Sequence, residues 1–192
     1  MRLQRMMLFA LGGLWVVAVA TGIAALWQYA YRPGATGSVF PAWPAGFSRS
    51  GLAADRCTLL VFLHGECPCS RATVHELKRV IARADRPISV RAYLRDPHDM
   101  AGQPSALWRA ASEISGVQLM ADPQGAVART FGAETSGVIF LFDPAGELLF
   151  CGGITGARGH EGDNPNAGAL LACLRQRPES SIRAITYGCS LF

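Results

Sequence analysis

At 192 residues, half of them hydrophobic, the chain has room for one domain and an accessory segment but is cramped for two. Charged residues make up 17% of it, too few for a disordered chain or a nucleic-acid-binding tail. The formal charge of +4 depends on Arg2, Arg5 and Arg32, which flank the first apolar run. The rest holds 15 basic against 14 acidic residues, which excludes a basic footprint for nucleic acid. Arginine supplies every basic side chain except Lys78.

Met6 to Trp27 is a run of 22 residues without a charge. As a helix rising about 1.5 Å per residue it spans roughly 33 Å, enough for a bilayer core. Arg2 and Arg5 precede it, and Trp27, Tyr29, Tyr31 and Arg32 follow it. Basic residues stay in the cytoplasm and aromatics suit the far interface. The expectation is a single-pass anchor at 1–32, with the remainder outside the cytoplasm, where disulfides persist. Ala18-Val19-Ala20 has the form of a signal cleavage site, but the apolar run continues well past it. Residues 33–55, with Pro33, Gly34, Gly37, Pro41, Pro44 and Gly46, read as a linker.

The segment 56–192 reads as a domain with a C-terminal tail. Cys57 to Leu63 is a short continuous apolar run, the pattern of a strand buried on both faces. Ser70 to Asp85 carries Val74, Leu77, Val80, Ile81 and Ala84 at helical spacing and is stopped by Pro87. Ile88 to Leu94 alternates as a strand and ends at the Asp96-Pro97 turn, with His98 and Asp99 on the loop. A helix is expected over Pro104–Ser115, closed by Gly116, then a short strand at Val117–Met120. Another helix follows Asp122-Pro123. Val138–Phe142 and Glu147–Phe150 flank Asp143-Pro144-Ala145-Gly146, a hairpin signal. Asn164-Pro165 opens a last helix to about Gln176, and Pro178 leaves a tail to Phe192. Alternating strands and helices followed by a hairpin imply an α/β domain, a mixed sheet flanked by helices. Sites in such sheets lie at the carboxyl ends of strands. His64-Gly65-Glu66-Cys67-Pro68-Cys69-Ser70 sits at the end of the first strand.

The stretches LLVFLHGECPCSRATVHEL and ADPQGAVARTFGAETSGVIFLFDPAGELLFCGG resemble the thioredoxin-like superfamily, in particular exported, membrane-tethered members of the TlpA and ResA kind. CPCSRAT, GGITGARGHEGDN and the terminal YGCSL more narrowly resemble RedB-like proteins. The resemblance covers roughly residues 55–177 and implies a thioredoxin-like fold. It puts Cys67 in the place of the attacking cysteine and Ser70 in that of the resolving one. It also implies a proline ahead of the hairpin, where this chain has Thr135-Ser136-Gly137.

Cys67 lies at a helix opening, where free N–H groups and the helix dipole favour a thiolate over a thiol of pKa about 8.5. Glu66 opposes this, and protonated His64 supports it. A Cys67–Cys69 disulfide would close a short, strained ring through Pro68. Cys57, Cys151 and Cys173 read as small apolar core residues. Cys189, in a polar tail, is free to reach Cys67 or Cys69 as a resolving partner, or to staple the tail to Cys151 or Cys173; six cysteines allow 15 pairings. In the Gly-rich loop 152–162, His160 is a candidate to protonate a leaving thiol or to ligate a metal. Otherwise the loop is a scaffold, with Arg158 paired to Glu161 or Asp163.

Three functions follow. The first is thiol–disulfide exchange with exported protein thiols or a membrane redox partner, through Cys67, Cys69, His160 and Cys189 and without a cofactor. The second is binding of copper or another soft metal by Cys67, Cys69 and His160 or His64. The third is a partner-binding domain without dithiol chemistry.

Overall fold

The computed structural model describes residues 2–95 and 102–192. The Asp96-Pro97 turn, His98 and Asp99 lie outside the described residues. The chain forms two compact units, Met1–Arg32 and Pro33–Phe192. The first is a helix, α1 (Arg2–Tyr31), with a mean hydropathy of 2.1 over its most apolar stretch and no buried residue. It is long and apolar enough to cross a membrane.

The second unit is built on six strands, β1 (Cys57–His64), β2 (Ile88–Arg95), β3 (Val117–Ala121), β4 (Ile139–Phe142), β5 (Leu148–Gly152) and β6 (Ile182–Arg183). They lie in the order β3-β2-β1-β4-β5-β6. β1 runs parallel to β2 and antiparallel to β4, and β4 and β5 form the expected hairpin. Helices α2 (Pro68–Arg83), α3 (Ala106–Ser112), α4 (Ala126–Thr130) and α5 (Pro165–Arg175) complete it. The sheet is thus mixed and flanked by helices, a parallel crossover being followed by an antiparallel hairpin and a helix.

The apolar run of β1 divides between two cores because successive strand residues point to opposite faces. Leu59, Val61 and Leu63 pack with Val74, Leu77 and Val80 of α2 and Leu170, Leu171 and Leu174 of α5. Leu60 and Phe62 pack with Phe131, Phe140, Phe142 and Trp43. Each large apolar side chain so buried contributes about 1.5–3 kcal/mol.

Three differences from the sequence expectations have local causes. Helix α3 is shorter than 104–115: Ser105 caps it, its Oγ accepting from the Trp108 N–H at 3.1 Å, and the chain turns at Glu113. Residues 33–55 do not stand off the domain as a linker would. Trp43 is buried, and Ala42 bridges to Glu147 in antiparallel fashion. The tail, expected to be irregular, supplies β6 and then a segment paired with residues 134–136. Its composition hides this because a two-residue edge strand has almost no pattern to read.

Candidate functional site: three cysteines at the end of the first strand

After His64 the chain turns sharply, the Gly65 N–H donating to the Arg95 carbonyl at 3.0 Å and the Cys67 N–H to that of His64 at 3.2 Å. Cys67 is the N-cap of α2, and Pro68 takes the first helical position, where a missing N–H costs nothing. Cys67 therefore sits where the backbone N–H groups of the first turn have no helical partner. Cys67 and Cys69 are both buried, at 4% and 2% exposure.

Facing this turn is Thr135-Ser136-Gly137, the stretch without the expected proline. Gly137 adopts φ +86°, and a Cβ there would come within 2.6 Å of Thr73 Oγ1, so a side chain is excluded by both backbone and space. Its N–H donates to the Phe62 carbonyl at 2.7 Å, anchoring the turn to β1. Ser136 is fully buried, and its hydroxyl donates to Cys67 Sγ at 3.2 Å. Ser136 Oγ is 3.1 Å from Ser70 Oγ, which accepts from the His64 N–H at 2.9 Å. The result is a chain of donors, His64 N–H to Ser70 to Ser136 to Cys67. Ser70, in the place of the resolving cysteine, supplies a hydroxyl to this chain instead of a thiol.

The third sulfur comes from the tail. The Ser136 N–H donates to the Cys189 carbonyl and the Leu191 N–H to the Glu134 carbonyl, both at 2.8 Å. Leu191 is buried in the core that contains Phe62 and Phe131, and the Arg129 guanidinium lies 4.1 Å from the Phe192 ring centroid. Gly188 lets the strand approach, since a Cβ there would sit 2.0 Å from the Ser136 carbonyl oxygen. This docking leaves Cys189 Sγ 2.9 Å from Cys67 Sγ. Cys189 is half-buried, and the sulfurs of Cys67, Cys69 and Cys189 all lie within 4.8 Å of one another. Cys189 thus belongs with Cys67 and Cys69, and the tail is not stapled to Cys151 or Cys173.

The environment splits the three thiols. Cys67 is held well below the usual thiol range: the Cys69 thiol donates to it, and although burial opposes the charge, Cys189, the Ser136 hydroxyl and the Ser70 N–H also donate. Cys69 is pushed up, first by that hydrogen bond to Cys67 and then by burial; the Gly159 N–H pulls in the opposite direction. Cys189 is raised by burial and by its bond to Cys67, with Arg158 opposing. The donors therefore favour ionisation at Cys67 over Cys69 and Cys189.

The Gly-rich loop lies beside the cysteine turn through Gly159, whose N–H reaches Cys69. It is tied to α2 by His75 Nδ1–Glu161 Oε1 at 2.8 Å, Arg83–Asp163 at 3.0 Å and the Gly162 N–H donating to the buried Glu76 carboxylate at 2.7 Å. Glu161 and Asp163 thus pair with α2 side chains. His160 is exposed and, like His64, stands outside the group of mutually close ligand atoms, which among the described residues comprises the three cysteines. Ser136 and Gly159 are the site residues that sequence reasoning did not pick out. Ser136 stands in the stretch without the proline and Gly159 in the Gly-rich loop; each reaches a sulfur from a distant part of the chain.

No family model matches the chain, and no curated protein matches it. Solved structures do. A hypothetical protein of Sinorhizobium meliloti is 22% identical, with 83% of this chain and 93% of that one covered and a TM-score of 0.57. An uncharacterized conserved protein of Geobacillus kaustophilus is 19% identical, with 84% and 92% covered and a TM-score of 0.58. A secreted disulfide oxidoreductase of Mycobacterium tuberculosis is 13% identical, with 67% and 87% covered and a TM-score of 0.47. At these identities the first two likenesses bear on the fold alone.

Proposed function

We propose that this chain is a membrane-anchored, RedB-like thiol–disulfide exchange protein acting on exported protein thiols or on a membrane redox partner. The observation that carries the reading is the 2.9 Å approach of Cys189 Sγ to a Cys67 Sγ whose thiolate is held by several donors. Closing to a disulfide bond of about 2.05 Å takes less than an ångström of movement. Cys67 is the attacking group and Cys189 the resolving one, so the strained ring to Cys69 is not needed.

In the reducing direction the Cys67 thiolate attacks one sulfur of a partner disulfide. The partner's S–S bond breaks, its other sulfur leaves as a thiolate, and a mixed disulfide forms on Cys67. Cys189 then loses its proton to that departing thiolate or to water and attacks Cys67 Sγ. The partner's second thiolate leaves, and the Cys67–Cys189 disulfide remains. Two electrons pass to the partner, and the reverse sequence oxidises a partner dithiol. The depressed pKa of Cys67 makes it a good leaving group as well as a thiolate at neutral pH. Arg2 and Arg5, at the start of α1 and ahead of its apolar run, support placing the domain on the non-cytoplasmic side.

The test is acid-quenched thiol trapping and peptide mass spectrometry of the full chain in detergent, equilibrated at a series of dithiol/disulfide ratios. A reversible Cys67–Cys189 cross-link is expected. A protein in which none of the three sulfurs cycles loses the exchange reading. A reporter joined after Leu174 is expected to be active only when exported; cytoplasmic activity reverses the topology.

A further inference from the structure

The same three sulfurs have a second capacity when all are reduced. We infer that Cys67, Cys69 and Cys189 form a three-thiolate site for a soft monovalent ion, cuprous copper. The inference is independent of exchange, because it needs the three thiols free together and no disulfide at all.

The geometry comes first. Three sulfurs around one ion at a metal–sulfur distance of about 2.3 Å are roughly 4.0 Å apart in a trigonal plane. The three Sγ atoms here lie within 4.8 Å of one another. The Cys67–Cys189 pair, at 2.9 Å, has to open by about an ångström. Cys189 is on the tail and half-buried, so it is the sulfur with room to give.

The choice of ion follows from the donor set. Thiolates select cuprous copper, zinc or iron–sulfur clusters, and the clusters take four cysteines. Zinc in a structural site takes four ligands, and among the described residues no fourth His, Cys, Asp or Glu ligand atom joins the group. Cys67 and Cys69 are buried, which keeps water from completing a tetrahedron. A low-coordinate, soft ion fits.

The charge also has an answer. Three thiolates around one monovalent cation leave two negative charges in a buried place, which would be costly without donors. Each sulfur has one nearby. Cys67 has the Ser136 hydroxyl and the Ser70 N–H, Cys69 has the Gly159 N–H, and Cys189 faces the Arg158 charge. Binding releases the protons that the thiols still hold. No electron moves, since copper enters and leaves as the monovalent ion.

The test is anaerobic titration of the reduced full chain in detergent with cuprous ion against a chromogenic bicinchoninate competitor, followed by X-ray absorption of the loaded protein. One ion per chain with three sulfur neighbours and no nitrogen is expected. Cys69→Ser and Cys189→Ser should each weaken retention by more than the roughly 10–100-fold typical of losing an outer hydrogen-bond partner of a ligand. His160→Ala and Cys151→Ser should leave it unchanged. The proposal is overturned if the wild-type chain yields its copper to the competitor, if His160→Ala releases it as Cys189→Ser does, or if zinc is held in preference in four-coordinate form. Thiol trapping on the same preparations separates the two readings. A cycling Cys67–Cys189 bond without copper retention sinks this site and leaves exchange standing; copper retention without cycling does the reverse.

Discussion

Two groups of cysteines occupy opposite ends of the sheet. Cys57 opens β1, and Cys173 on α5 lines the same cavity of about 380 Å³, together with Arg86 and Arg177. Cys67, Cys69 and Cys189 gather past the carboxyl end of β1. Both groups are largely withdrawn from water, yet their chemistry diverges. Burial pushes the Cys57 thiol up, the Asp143 charge adds to that, and Arg86 and Arg177 only partly oppose it. Cys173 is raised by burial, which its own backbone N–H only partly opposes, and its thiol donates to the Leu149 carbonyl at 3.8 Å. Burial acts on Cys67 in the same direction, but donors aimed at its sulfur outweigh it. Burial acts alike at the two ends; the direction of the neighbouring hydrogen bonds is what separates Cys67 from Cys57 and Cys173.

The largest expected contrast is in pH dependence. An ordinary thiol loses about tenfold in thiolate for each pH unit below a pKa of roughly 8.5. Iodoacetamide alkylation of the reduced full chain is expected to stay nearly flat at Cys67 from pH 8 to 5. At Cys57 and Cys173, whose pKa values are raised, it should fall by the full factor per unit. Parallel profiles at all three, read by peptide mass spectrometry, would erase the distinction between the two ends.

Gly188→Ala should come next in size. The added Cβ meets a backbone oxygen at 2.0 Å, so the tail has to shift and Cys189 withdraws from Cys67. The rate of Cys67–Cys189 bond formation under a fixed oxidant should drop by on the order of tenfold or more, the scale of about 1.4 kcal/mol. Cross-linking at the wild-type rate would mean that the docked tail does not deliver the sulfur.

Acid should change what oxidation does to stability. A bond between residues 122 apart closes a long loop, typically worth about 2–4 kcal/mol, while the depressed Cys67 pKa stabilises the reduced fold at neutral pH and that stabilisation is lost as pH falls towards it. The oxidised full chain should therefore gain on the reduced one in Tm between pH 7 and 4, by up to roughly 5–15 °C at this size, read by calorimetry. Cys189→Ser should abolish the difference. Ser136→Ala removes one donor to the thiolate, a loss of about 0.5–1.5 kcal/mol, or roughly 0.4–1 pH unit upward in the Cys67 ionisation. Ser136→Thr, which keeps the hydroxyl, should restore much of it. The smallest effect is expected at the other end: Cys57→Ser should leave cross-linking and the Cys67 profile as they are.

Much of this protein was legible before its fold was known. The continuous apolar run of Cys57–Leu63 and the helical spacing of Val74, Leu77 and Val80 follow from periodicity, which is a local property of the chain. Asn164-Pro165 marks a helix start because both residues satisfy a geometric need within one turn, and the structure opens α5 there. Cys67 at the opening of α2 follows from the same local logic. The apolar length of α1 is likewise written in composition.

What tertiary structure decided are the contacts between residues far apart in the chain. Cys189 had four possible partners in the sequence, Cys67, Cys69, Cys151 and Cys173. The choice rests on Gly188, which admits the tail beside Ser136, and on Leu191, which is buried in a core formed by β1, β4 and the segment after α4. The Ser136 hydroxyl and the Gly159 N–H reach their sulfurs from 69 and 90 residues away, and no local pattern says which atom each will face. Local sequence sets which residues cap, turn and alternate, because those preferences act within a few bonds. The thiolate at Cys67 depends on donors assembled across the whole domain, and only the folded chain brings them into hydrogen-bonding range.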